Sequence, residues 1–468
     1  MNHLKKILLV CLFLNIMANV HAQVELIFGD TLVNEKAIAT YPMADGSFWV
    51  VGFTNTGTNG GADVTLIRVD SLGNTMVPIR YFGGSENDYP NNMIYKGGKL
   101  IIAGETHNIL TSDIDGFILI VDTLGIFESF ETYGQTGQTE QFFDIKATQD
   151  GGFVVSGFAS LPNRIGNDFL ISKFDNKNYF DWMQVHDLGG NDIGMVAIEK
   201  PQGGYLLVGD QLQPAGNYNV AIVGCDASGN MLWDTVVANP YNGGCKQALI
   251  YDNQLIIVGE MGTATSTAFD PYLIRADLQG NVLWQGTIPK TNNGDAIFDL
   301  VVKSLNEIFV TGYMYNNAIQ GTDLFVMEID SIGGIKNERY YGGTSFDMGI
   351  DIQVRNDGRF IISGFTNRQA SDQYYIIYDS FSPNTAISTL PLLQNELLVY
   401  PNPSNDYIYL SSTIHFQQVE IVDKLGRVSR PVIKQNTIDI RHLETGQYWI
   451  VLKDKEGKII DMKSIAKQ

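Results

Sequence analysis

Along most of the chain the apolar residues come in short runs rich in Val, Ile, Leu and Phe, each broken by glycine or a polar cluster. Runs of that length between turn residues predict strands rather than helices. One run recurs seven times and always closes on glycine: Phe48–Gly52, Leu100–Gly104, Phe153–Gly157, Tyr205–Gly209, Leu255–Gly259, Ile308–Gly312 and Phe360–Gly364. The glycines lie 52, 53, 52, 50, 53 and 52 residues apart, the signature of a repeat architecture. A second motif keeps the same period. An acid or Asn opens a strand and an Asp closes it, as Asp63/Asp70, Asp115/Asp122, Asp168/Asp175, Asn219/Asp226, Asp270/Asp277, Asp323/Asp330 and Asp372/Asp379. Five of the closing residues begin Asp-x-x-Gly, a turn in which the carboxylate accepts a backbone N–H two residues on.

Each period has room for four short strands, in the second unit Asn92–Tyr95, Lys99–Gly104, Gly116–Asp122 and Ile126–Tyr133. The pattern predicts an all-β chain whose residues 23–384 form a seven-bladed β-propeller with four-stranded blades. The last unit runs out after its third strand, whereas Val24–Gly29 resembles the outer strand Val77–Gly83. The N-terminal strand is therefore expected to complete the last blade and leave no open edge. Asp150-Gly-Gly-Phe-Val-Val-Ser-Gly157 resembles the glycine-rich repeats of secreted bacterial propellers of unknown function. That resemblance covers residues 24–384 and implies a fold, not an activity.

The two ends read differently. Lys5 and Lys6 precede the apolar run Ile7–Met17, and Val20-His21-Ala22 ends on a small residue, so residues 1–22 are expected to be a cleaved signal peptide. No other apolar run approaches membrane-spanning length, which predicts no transmembrane segment in the mature chain. Residues 385–396 read as a linker, and 397–468 as a small C-terminal antiparallel β-sandwich. This last segment carries Leu398-Val-Tyr400-Pro401-Asn402-Pro403, then Val419–Arg427 with Gly426, then Leu443-Glu-Thr-Gly446-Gln-Tyr448. In that order, at the C-terminus, these residues resemble the C-terminal sorting domain of the type IX secretion system, type A. The resemblance implies passage through the periplasm of a Gram-negative bacterium and recognition by the secretion machinery. It further implies removal of the domain, with the protein secreted or held at the cell surface.

Charge separates the same parts. Net charge is −20, yet residues 385–468 hold 10 Lys and Arg against 9 Asp and Glu, so the propeller segment carries the excess. Without clustered cations a nucleic-acid partner is not expected. Beyond residue 22 there are four histidines, His107, His186, His415 and His442, and no nucleophile, zinc or phosphate-loop motif. The best candidate site is a set of acids 16 or 17 residues before each recurrent glycine: Glu35, Asp88, Glu140, Asp192, Asp295 and Asp347, with Asn242 in the fifth unit. On an axial face they would bind a cation or a polyhydroxyl ligand. As a feature of every unit they would instead accept loop N–H bonds, and the repetition argues for this second role. No cofactor is predicted. Calcium stays open through Asp113-Ile-Asp115-Gly116, although Leu124 stands where the bidentate Glu belongs. Trp182, Trp233 and Trp284 recur in register and are expected to pack. Cys225 and Cys245 replace apolar residues of other units and are expected to be buried, with a disulfide left open. The function expected is that of a secreted or surface non-catalytic binding protein with a glycan or protein ligand. The alternative is a polysaccharide-acting hydrolase or lyase using axial-face carboxylates.

Overall fold

The computed structural model describes residues 24–381 and 397–467, apart from short stretches that include 30–32, 56–60, 109–112, 289–293, 317–320, 401–403 and 413–416. The expected signal peptide and linker lie outside the described residues. Every helix or strand assigned among the described residues is a strand.

Each repeat folds as an antiparallel meander of four strands, and one parallel pair, Thr139 with Ile114, links the second and third sheets into a continuous eight strands. The first strands of successive sheets are Glu35–Pro42, Asn87–Lys96, Thr139–Ala147, Asp192–Glu199, Gly243–Tyr251, Ala296–Ser304 and Asp347–Val354. The second strand of each sheet carries the apolar run and is mostly buried, whereas the fourth is mostly half-buried. The seventh sheet takes its fourth strand from the other end of the chain. Val24–Phe28 pairs antiparallel with Gln373–Ser380, with Val24 opposite Tyr378 and Phe28 opposite Tyr374. The first strands touch one another in chain order, and Asp347–Val354 returns to Glu35–Pro42. Across that closure the Thr40 N–H and hydroxyl donate to Asp351 Oδ2 at 2.9 and 2.6 Å. The apolar cores lie between sheets: one cluster joins Val51 and Leu66 of the first sheet to Ile102 and Phe117 of the second.

The recurrent glycine has a steric cause. Opposite each one the first strand carries a β-bulge, for example between Phe142 and Asp144 opposite Gly157. The bulge turns a backbone oxygen toward the glycine. A Cβ on Gly157 would stand 1.7 Å from Gln141 O, and one on Gly364 would stand 1.8 Å from Met348 O. All seven recurrent glycines meet a backbone oxygen at 2.2 Å or less in this way, so only glycine fits. The closing turns have the expected chemistry: Asp226 Oδ1 accepts the N–H groups of Ser228 and Asn230, and Gly229 takes a positive φ of 77°. The recurrent tryptophans cover these turns. Trp182 lies against Gly229 and Trp233 against Gly280, in each case the turn of the following sheet.

Residues 397–467 form two further four-stranded sheets. One contains Leu397–Tyr400 and Tyr407–Ser412, the other Gln418–Asp423, Gly446–Lys453 and Ile459–Lys467. Ile408 and Ile438 of the first share a core with Ile421, Ile450, Leu452 and Ile465 of the second.

Candidate functional site

The six predicted acids lie at the entry to the first strands, and all are buried. Four of them accept a backbone N–H. Asp88 Oδ2 takes that of Gly84 at 3.0 Å, Glu140 Oε2 that of Gln135 at 3.5 Å, Asp192 Oδ2 that of Leu188 at 2.9 Å and Asp295 Oδ1 that of Tyr315 at 2.9 Å. Asp347 meets the Arg368 guanidinium at 3.4 Å. Glu35 Oε2 packs on Gly29. Asn242 behaves like the acids, accepting the Tyr218 N–H at 2.7 Å.

The two sequence motifs meet at these junctions. The acid that opens the third strand of one sheet approaches the acid that enters the next sheet. A Cβ on Gly83 would strike Asp63 at 2.4 Å and Asp88 at 2.5 Å; one on Gly342 would strike Asp323 at 2.3 Å and Asp347 at 2.8 Å. Burial, with the neighbouring charge adding to it, raises Glu140 to about 7 beside Asp115 and Asp192 to about 6 beside Asp168. The fifth sheet is entered by Asn242, and the residue that opens the third strand before it is Asn219, so both members of that pair are neutral together. A separation of 23 to 25 residues between the paired positions, with both acids replaced at once, is the signal by which sequence could have linked them.

Three other buried acids did not stand out in the sequence. Asp144, Asp299 and Asp351 each follow the bulge of a first strand, 13 residues before the recurrent glycine. Directly after the bulge the other units carry Ala39, Asn92, Val196 and Gln247, so these acids break the repeat. Asp144 bonds Asn92 Nδ2 at 2.5 Å and pairs with Lys146 at 3.2 Å. Asp299 Oδ2 accepts the Ile352 N–H at 2.8 Å. Burial raises Asp299 and Asp351, and their mutual proximity raises Asp299 further, while the Lys146 ammonium of the third sheet acts on both. An acid inside an apolar strand, as in Phe142-Phe143-Asp144-Ile145, was the available signal.

Two clefts open between neighbouring sheets. One, of about 510 Å³, is lined by Tyr81, Phe82, Asp88, Thr106, Phe127 and Phe130. The next, of about 660 Å³, is lined by residues that include Tyr133, Glu140, Leu161, Phe180 and Met183. Tyr81, Phe127 and Phe180 stand exposed at these clefts, and burial raises the Asp88 carboxyl beneath the first. Elsewhere Asp113 Oδ2 accepts the Gly137 N–H at 3.0 Å. Cys225 and Cys245 are buried free thiols, and burial pushes Cys225 up to about 12. No helix among the described residues is long and apolar enough to cross a membrane.

Tyr400 ends the strand Leu397–Tyr400, while Pro401, Asn402, Pro403 and Gly426 lie outside the described residues. Gly446 opens the strand Gly446–Lys453, where the Tyr448 hydroxyl donates to Glu444 O at 2.9 Å. No curated protein matches the chain. Among solved structures it is similar to an ulvan lyase of polysaccharide lyase family PL25 (TM-score 0.51, 12% identity, 77% of this chain and 95% of that one). It is also similar to an inactive virginiamycin B lyase from Staphylococcus aureus with quinupristin (0.48, 10%, 76% and 99%). A third is the β-propeller domain of the Trilobed protease from Pyrococcus furiosus (0.45, 10%, 77% and 98%). At such identities the likeness concerns the fold alone. A family model, the secretion system C-terminal sorting domain, matches residues 398–467. These residues are a type IX sorting domain, and the protein is exported to the cell surface or secreted from a Bacteroidetes-type Gram-negative bacterium.

Proposed function

We propose that this exported chain is a non-catalytic binding protein whose ligand is a polyhydroxyl compound, such as a glycan, held in the clefts between sheets. The observation that carries the reading is the first cleft. Tyr81 and Phe127 stand exposed around Asp88 and Thr106, and the next junction repeats the arrangement with Phe180 and Glu140. Aromatic faces suit the apolar faces of sugar rings. In this reading the seven sheets are the blades of a closed β-propeller of the secreted glycine-rich repeat type. The ring of contacting first strands and the pairing of Val24–Phe28 support that reading. Residues 1–22 are a cleaved signal, 23–384 the binding module, 385–396 a linker and 397–468 a type A sorting sandwich engaged by the secretion machinery. The entry acids serve the blades by accepting loop N–H groups. The test is a panel of extracellular polysaccharides presented to the full chain and to Tyr81→Ala/Phe127→Ala. At least one member should bind and lose about tenfold or more in affinity in the variant, equivalent to about 1.4 kcal/mol. No binding across the panel, or equal binding by both proteins, would refute the reading.

A second reading, a polysaccharide-acting enzyme, has one observation in its favour. Asp144, Asp299 and Asp351 break the repeat, and burial raises the Asp299 and Asp351 carboxyls in the direction acid–base chemistry uses. Turnover of any polysaccharide by the full chain, abolished in Asp351→Asn, would establish it; a chain with no turnover would dismiss it.

A further inference from the structure

At the junction between the third and fourth sheets, three carboxylates come close enough among the described residues to share one ion. Besides the pair Asp168 and Asp192 the junction holds a third carboxylate, Asp187, and one oxygen from each of the three lies within 4.8 Å of the others. Asp168 and Asp192 are completely buried, and their Oδ1 atoms have no hydrogen-bond partner among the described residues. Their other oxygens are occupied: Arg164 donates to Asp168 Oδ2 and the Leu188 N–H to Asp192 Oδ2. Asp187 is exposed and accepts the Gly189 N–H at 2.8 Å. One guanidinium against three carboxylates leaves two negative charges, in a place where an uncompensated buried charge is costly.

The surrounding loops are already held in place. Asp192 N–H donates to Asn167 O at 2.7 Å and Asn167 N–H to Asn191 Oδ1 at 2.9 Å, which ties the Asp168 loop to the Asp187–Asp192 loop. We propose that this junction binds one calcium ion through Asp168, Asp187 and Asp192. Calcium takes oxygen ligands at about 2.3–2.6 Å, so two oxygens on a common ion stand at most about 5 Å apart, and a divalent ion cancels the residual charge. Water and loop carbonyls complete a coordination of six to eight. The site is separate from the clefts and does not depend on the glycan reading.

The experiment is calorimetric titration of CaCl2 into the chelator-stripped full chain at pH 7.5, with the melting temperature recorded alongside. The wild type should show saturable binding and a higher melting temperature with calcium. Asp187→Asn should weaken binding by tenfold or more. Asp168→Asn/Asp192→Asn reproduces the Asn219/Asn242 chemistry that the chain already uses at the following junction, so it should fold and lose the site. Should that variant fail to fold, Asp187→Asn decides, because its side chain is exposed. A wild type without saturable calcium binding overturns the proposal, as does affinity unchanged by Asp187→Asn.

Discussion

At the scale of single residues, the chain repeats what its backbone cannot do without. Gly157 faces Gln141 O at a distance no Cβ tolerates, so Gly157→Ala should cost about 1–3 kcal/mol through forced backbone movement. Gly84 has nothing within 4 Å of the same position and no positive φ, so Gly84→Ala should stay within about 0.5 kcal/mol of wild type. Chemical denaturation of both variants checks the contrast; equal effects would mean that the bulge contact does not explain the repeat. The glycines themselves were plain in the sequence, but their cause was not. Close approach depends on a bulge in the partner strand, and no residue pattern marks that bulge. The entry acids were found for the same reason, through their spacing. Asp144, Asp299 and Asp351 give no repeat signal, because only three units carry them.

At the scale of elements, the ring depends on a five-residue strand. Leu26 is buried in the core shared by the first and seventh sheets and lies against Gly73. Leu26→Ala should therefore destabilise by about 2–5 kcal/mol. Deleting residues 24–28 should leave the backbone edge of Gln373–Ser380 unpaired and bring on self-association. Size-exclusion chromatography reads that outcome, and a monomeric deletion variant as stable as wild type would contradict the closure. This strand was predictable because Val24–Gly29 repeats the outer-strand pattern. Strand boundaries were harder. The first strand of the second sheet was expected over Asn92–Tyr95 and runs over Asn87–Lys96. Its early residues are polar and include Pro90, which stands at the bulge, where a missing N–H is tolerated.

At the scale of the molecule, the acids turn one junction after another into a place that favours a proton or a cation. Glu140 and Asp210 are raised to about 7 and Asp192 to about 6, in each case chiefly by burial. Unfolded Asp and Glu titrate near 4. Between pH ~4 and ~7 the folded chain therefore holds more protons than the unfolded chain, and stability falls as pH rises through that window. Asp150, lowered to about 2 by its bonds from Lys173, Thr148 and Gly152, acts the other way, and its contribution disappears only below about pH 4. Without calcium the melting temperature should be higher at pH 5 than at pH 8; a steady rise from pH 5 to 8 would contradict the burial of these groups. The sorting domain was readable over residues 398–467, because its motif residues stand in the family's order. The partnership of two acid motifs was not, because it joins positions on different sheets.

The repeated acids maintain the ring while the aromatic clefts hold the ligand, and one comparison separates these roles. Polysaccharide affinity and melting temperature are measured together for the wild type, for Asp295→Asn and for Tyr81→Ala/Phe127→Ala. Asp295→Asn should lower the melting temperature and retain affinity, and the aromatic pair should lose affinity and retain the melting temperature. Lost affinity with unchanged melting in Asp295→Asn would contradict this division of roles.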